Sequence, residues 1–219
     1  MNLMKQYIVI AGNIGAGKST LVERLCDRLG WKPYFEPVSE NPYLEDFYRD
    51  MNSYAFQSQL YFLTDRLRTH KELQDFSGPV VQDRSVFEDA EIFARNLYEQ
   101  GAFNERDFAT YMKVYDLFVS FLDPPSLVVY LKSSLETLRS RIDLRGRDFE
   151  ADISDEYLTG LNNLYDSWFE NYCLGPVLAI DTATVDIINR PSDLDTVVEM
   201  IKEAMKGKQE DLFDVFEEH

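Results

Sequence analysis

The sequence predicts an α/β fold: a five-stranded parallel sheet with helices on both faces. Three observations predict it. Five short runs, at residues 7–11, 32–35, 79–82, 127–131 and 177–181, read as buried strands. Longer segments with helical spacing lie between them, so strands and helices alternate along the chain. Successive strands are also far enough apart for a crossover helix, which parallel pairing requires.

Each element has its own signal. The first strand runs into a glycine-rich loop, and residues 18–29 behind it put Leu21, Leu25 and Leu29 on one stripe, stopped by Gly30. Residues 54–76 form a long helix rich in aromatics. Asn104 is an N-cap for a helix that runs to about Phe121, ahead of Pro124-Pro125. Helices at 135–145 and 155–172 follow, and one at 191–205 closes the fold. The Tyr111, Tyr115, Phe118 and Phe121 stripe suits either the core or a subunit interface, with core favoured. Residues 1–205 read as a single domain and residues 206–219 as an acidic tail.

Composition narrows the function. Hydrophobic residues make up 45% of the 219, enough for one buried core. The net charge of −17 argues against a polynucleotide or acidic-membrane partner and for a small substrate. An anionic ligand is still possible where a cation and clustered arginines reverse the field. Cys26 and Cys173 have no metal-binding spacing and read as reduced, mostly buried thiols of a cytoplasmic protein. With only His70 and His219, zinc chemistry and a Ser-His-Asp triad have little support. The apolar stretch at the start of the chain is too short to span a membrane.

The loop Gly12-Asn13-Ile14-Gly15-Ala16-Gly17-Lys18-Ser19 fits the pattern G-x-x-x-x-G-K-S/T, with Thr20 next. Glycines let backbone amides turn toward phosphate oxygens. Lys18 brings a cation to the β- and γ-phosphates, and Ser19 offers a hydroxyl to Mg²⁺. The following helix points its positive end at the same anion. A strand before the loop and an amphipathic helix after it supply the context that separates a phosphate loop from a glycine-rich turn. The fold expected is thus a P-loop three-layer sandwich.

The remaining strand ends carry the chemistry of transfer. Glu36, in Glu36-Pro37-Val38, lies at the end of the second strand, where a carboxylate can accept a proton from an attacking hydroxyl. Asp83-Arg84-Ser85 ends the third: Asp83 is suited to hold Mg²⁺ directly or through water, and Arg84 to neutralise a transferring phosphate. The plainer alternative is a helix cap and an exposed ion pair. Arg141, Arg145 and Arg147 end a helix, with Arg141 and Arg145 on one face and Gly146 letting Arg147 turn back. They form a mobile lid over phosphates or a solvated helix end.

Taken in order, these residues together with Glu156-Tyr157-Leu158 resemble the deoxynucleoside kinases, most closely the bacterial deoxyadenosine/deoxyguanosine branch, over about residues 5 to 182. The resemblance implies ATP with Mg²⁺ as donor and a deoxynucleoside 5′-hydroxyl as acceptor. It implies Glu36 as general base with Arg84 beside it, and Tyr48 with Glu156 as the pair that holds the sugar 3′-hydroxyl. Gln59 would read the base and Phe93 would stack on it. Arg66 and Asp89 fit members accepting deoxyadenosine, deoxyguanosine or deoxycytidine, because a thymine methyl would leave a charged pair unsatisfied. An i,i+4 role within its own helix is the alternative for Arg66. The resemblance further implies a homodimer and inhibition by the matching triphosphate.

Three departures stand out. Ser58 replaces the aromatic expected beside Gln59, and Asn41 stands where some animal members carry tryptophan, so a pocket wider on one side is expected. Asp83 is one methylene shorter than the glutamate of animal relatives. Two other readings compete. A nucleoside-monophosphate kinase of the thymidylate kinase type should need a basic acceptor site, whereas residues 36–45 are acidic. An ATP-dependent regulatory binding protein would use the aromatic helices and the acidic tail as a partner face.

Overall fold

The computed structural model describes residues 6–36 and 40–214, with side chains through Lys206. Pro37 and Val38, and the tail from residue 215 on, lie outside the described residues. All five expected strands form: β1 (Tyr7–Ala11), β2 (Lys32–Tyr34), β3 (Val80–Asp83), β4 (Leu127–Lys132) and β5 (Val177–Asp181). They pair in parallel in the order β2-β3-β1-β4-β5.

Central strand β1 is buried along its whole length, and its side chains alternate between two cores. Ile8 and Ile10 join Leu21 and Leu25 of α1 (Lys18–Leu29), with Val197 and Ile201 of α9 (Pro191–Asp214). Tyr7, Val9 and Ala11 face the other layer. There Leu63 of α3 (Met51–Asp75), Tyr111 of α6 (Glu105–Val119) and Tyr165 of α8 (Asp155–Asn171) close over the sheet. Each such aliphatic side chain contributes roughly 2 kcal/mol by leaving water. The result is the three-layer sandwich.

Several boundaries differ from the expectation, each for a local reason. Helix α3 begins earlier because the Asp50 carboxylate accepts the Ser53 amide at 3.2 Å. A six-residue helix, α2 (Leu44–Arg49), precedes it. Between β3 and α6 lies a helix that the hydrophobic pattern does not announce: α4 (Val86–Glu88), a π-helical stretch (Asp89–Ala94) and α5 (Arg95–Glu99). Helix α9 continues past residue 205 to Asp214, so the start of the supposed tail is helical. Tyr111 and Tyr115 are core, but Phe118 and Phe121 are exposed, which divides the aromatic stripe. Cys26 is buried, whereas Cys173 is exposed rather than buried; both are free.

Strand order fixes where a site can form. The chain leaving β1 returns to the sheet at β2, on one side; the chain leaving β3 crosses to β4, on the other. The segments after β1 and β3 therefore part, leaving a crevice at the carboxyl ends of the strands.

Candidate active site

The loop after β1 forms one wall of the crevice. Gly12 has φ 149° and Gly15 φ 83°, backbone that L side chains rarely adopt. A Cβ on Gly12 would sit 3.0 Å from the Leu131 carbonyl, and one on Gly15 2.9 Å from the Leu138 carbonyl. Asn13 ties the loop to α8, its amide donating to the Leu158 carbonyl at 2.9 Å and to Asn162 Oδ1 at 2.8 Å. The Lys18 ammonium donates to the Asn13 carbonyl at 2.9 Å. Burial and the nearby Arg84 push its pKa down to about 8, against the pull of Asp83, Glu36 and Glu88.

Asp83, at the end of β3, faces this loop. Its Oδ2 accepts the Ser19 hydroxyl at 2.5 Å, and its Oδ1 is buried with no hydrogen-bond partner. An unsatisfied buried carboxylate oxygen beside a hydroxyl is a donor set that suits a hard cation with water in its shell. The expected Mg²⁺ ligands, Ser19 and Asp83, thus come together and fit the ion.

Glu36 lies in the same crevice with its side chain almost fully covered. Arg84 Nη1 donates to its Oε2 at 2.9 Å and Arg66 Nη2 to its Oε1 at 2.6 Å. Burial alone would raise its pKa, but Arg84, Arg66 and Lys18 outweigh that and hold it near 2. Arg66 Nε donates to Asp89 Oδ2 at 3.1 Å, so this arginine bridges three elements instead of pairing along its own helix. Burial raises the Asp89 pKa in spite of Arg66. The Arg84 guanidinium lies 4.2 Å from the Phe93 ring centroid, so one face of that ring is already covered.

Lys18, Ser19, Glu36, Tyr48, Gln59, Asp83, Arg84, Asp89, Phe93, Arg145 and Arg147 line one connected cleft. Glu156 does not. It is exposed on the first turn of α8, and only its carbonyl is engaged, by Gln100. The carboxylate from this part of the chain that does line the cleft is Glu150, in a single 3₁₀ turn (Asp148–Glu150) just past the arginine segment. Glu150 is 3% exposed, and its charge acts on the Tyr48 hydroxyl; burial first, then Tyr157 and Glu150, raise the Tyr48 pKa. Sequence reading missed Glu150, although it stands three residues after Arg147. It also missed Phe62 and Tyr157, which line the same wall.

The two expected openings in the wall fill each other. The Asn41 amide donates to Ser58 Oγ at 3.1 Å, both side chains are buried, and neither lines the cleft. Neither departure therefore opens directly onto the cleft.

A second, open groove of about 760 Å³ runs along the outside of the loop past Thr20, Arg141, Thr182 and Ile187. Arg141, on α7 (Leu135–Arg145), donates to the Ala16 carbonyl at 2.9 Å, and burial lowers its pKa. Arg145 and Arg147 line both cavities, and both pair with Glu150. Arg141 thus touches the phosphate loop, while Arg145 and Arg147 line the same cavities as the loop and are held by Glu150.

Known proteins are similar to this chain along most of its length. The deoxynucleoside kinase family profile matches residues 8–206. The chain belongs to the deoxynucleoside kinase family. This kinase is 34% identical to the deoxyadenosine/deoxycytidine kinase of Bacillus subtilis, over 92% of its own chain and 94% of the relative. It is 34% identical to a deoxyguanosine kinase of Lactobacillus acidophilus, covering 91% and 90%. Among solved structures, the M. mycoides deoxyadenosine kinase with bound dATP superposes with a TM-score of 0.80 at 31% identity, covering 90% of this chain and 99% of that one. Membership of this family makes the chain a deoxynucleoside phosphotransferase and sets aside both the regulatory-protein and the monophosphate-kinase readings. No helix among the described residues is long and apolar enough to cross a membrane.

Proposed function

We propose that this kinase transfers the γ-phosphate of ATP to the 5′-hydroxyl of a purine deoxynucleoside, deoxyadenosine or deoxyguanosine, with deoxycytidine as a further acceptor. The observation that carries the reading is Glu36, held ionised by two arginines in the same crevice as Lys18 and Ser19. The triphosphate lies along Gly12, Asn13, Ile14, Gly15, Ala16 and Gly17, with its base in the outer groove and Arg141, Arg145 and Arg147 closing on it. Ser19 and Asp83 would hold Mg²⁺, which would offset the negative charge of the phosphates during transfer.

Glu36 accepts the proton of the 5′-hydroxyl. The oxygen forms its bond to the γ-phosphorus as the bond to the β-γ bridging oxygen breaks, and ADP leaves with that electron pair. A carboxylate near pKa 2 is a weak base, so at rest its task is to orient the hydroxyl. As Arg84 turns toward the transferring phosphoryl oxygens its hold on Glu36 loosens, and the carboxylate becomes more basic when the proton must move. Tyr48 with Glu150 takes the 3′-hydroxyl in place of the Tyr48–Glu156 pair. Gln59 and the Arg66–Asp89 pair read a base edge with amino and ring-nitrogen groups, and Phe93 packs against the base.

Glu36→Gln should lower kcat by about 10² or more, measured in a coupled assay with ATP. In the same assay the wild type should phosphorylate deoxyadenosine or deoxyguanosine faster than thymidine and should leave dAMP untouched. Preference for thymidine would overturn the assignment of base. The exposed Leu117, Phe118 and Phe121 on and just past α6 suit a homodimer interface, which sedimentation of the intact chain tests. Free Cys26 and Cys173 suit a reducing, cytoplasmic setting. A single domain running through α9 completes the reading.

A further inference from the structure

Arg84 is the one non-glycine residue with positive φ among those described, at 61°. Left-handed backbone brings Cβ against the carbonyl that follows, so a bulky residue stays there only when its surroundings over-determine it. Three bonds do so. The Arg84 amide donates to the Ile10 carbonyl at 3.1 Å, tying it to β1. The Arg84 carbonyl accepts Arg66 Nη1 at 3.1 Å. The next peptide is held from the other side: the Ser85 amide donates to Glu88 Oε2 at 2.7 Å, and the Ser85 hydroxyl donates to the same oxygen at 3.2 Å. Glu88 is wholly buried and is absent from the residues lining the cleft. Its other oxygen, Oε1, accepts the Tyr165 hydroxyl at 2.8 Å, and only distantly the Gly12 amide at 3.4 Å. Tyr165, from α8, also lies against the Arg84 side chain.

A buried carboxylate in an apolar layer is costly unless its partners need it. An ordinary capping box needs only the Ser85 end. The second oxygen and its tyrosine reach across to the helix behind the arginine. We infer that Glu88, with Tyr165, is a positioning residue that keeps Arg84 in its left-handed turn and so aims the guanidinium at Glu36 and the transferring phosphate. This rests on the proposed roles of Glu36 and Arg84. It gives a buried acid outside the cleft a defined part in the reaction.

The test compares wild type, Glu88→Met, Glu88→Gln and Tyr165→Phe, with Glu36→Gln as reference. Each is assayed with ATP, Mg²⁺ and the deoxynucleoside that wild type turns over fastest, between pH 3 and 8, with the thermal midpoint recorded by circular dichroism at each pH. Methionine keeps the volume but offers no acceptor, whereas glutamine can still accept the Ser85 amide while the tyrosine hydroxyl rotates to accept its NH₂. Glu88→Met should lose at least tenfold in kcat with the KM for ATP within threefold. Its acid limb of kcat/KM, which Glu36 sets near pH 2 in wild type, should move up by a pH unit or more into the assayed range, because Glu36 loses one of the two arginines that keep it ionised. Glu88→Gln should stay within threefold with the limb in place. A folded Glu88→Met variant with wild-type kcat, or with lowered kcat and an unmoved limb, overturns the positioning role. If that variant does not fold, Tyr165→Phe decides. A threefold or greater loss with the limb shifted upward supports the role, and wild-type behaviour overturns it. An active Glu36→Gln enzyme would sink the reading of Glu36 itself, whereas an inactive one beside a wild-type-like Glu88→Met sinks only the role of Glu88.

Discussion

Glu36 carries its charge through burial only because two guanidiniums face it, and that has a consequence for stability. A carboxylate whose pKa falls on folding, here from 4.5 to about 2, stabilises the fold above the higher value. The contribution is on the order of 3 kcal/mol and is lost as pH falls through that window. Asp89 and Glu88 work the opposite way: burial raises their pKa, and the cost of keeping them ionised is relieved by acid. A simple acid titration mixes these effects, whereas a difference between two proteins isolates one. The gap in thermal midpoint between wild type and Glu36→Gln should shrink steadily as pH drops from 5 toward 3. A gap that stays constant over that range would mean the arginines do not hold the carboxylate ionised. The place of Glu36 and Arg84 in the cleft was legible in the sequence because each sits at a strand end within a short specific string. Glu150 was not. It and Glu156 both follow the lid closely, and only the 3₁₀ turn at Asp148–Glu150 decides which one turns inward.

At the scale of elements, legibility followed amphipathicity. Helix α1 keeps one face wet, and its bounds were read without error from its leucine stripe and the capping Gly30, as the end of α7 was from Gly146. The run from Val86 through Ala90 is buried on every side, so it has no polar face to give a 3.6-residue period. Its π-helical stretch adds a residue per turn, and such segments gather at functional sites. Here it carries Asp89 and Phe93, both in the cleft. Helix α5, which continues this rod, packs against α8 with almost no clearance. A Cβ on Gly160 would run into Asn96 Oδ1 and come within 3.0 Å of Gln100 Nε2. Gly160→Ala should therefore destabilise the kinase by about 1–3 kcal/mol despite alanine's better helix propensity. Chemical denaturation measures this, and a stabilised variant would show that the two helices can move apart freely.

At the scale of the whole molecule, a protein of net charge −17 must gather a triphosphate beside its own carboxylates. Under the proposed function it would do so with a few buried cations and with rim arginines that are already engaged. Arg145 and Arg147 both pair with Glu150, and Glu150 stands beside Tyr48 in the acceptor half of the cleft. One carboxylate cannot hold both arginines and serve a sugar hydroxyl fully at the same time. A deoxynucleoside that engages Glu150 should therefore free the lid to close on the donor. The two ligands should then bind cooperatively, with equal coupling in either order of addition, as linkage demands. Titration calorimetry with a non-hydrolysable ATP analogue, with and without saturating deoxynucleoside, measures it. We expect about fivefold tighter binding in the presence of the nucleoside, near the lower end of ordinary coupling energies. Glu150→Gln, which holds the arginines less strongly, should bind the analogue more tightly on its own and show little further gain. Independent binding of the two ligands to wild type would mean that the lid closes without reference to the acceptor, and that the Glu150 pairs are only a resting contact.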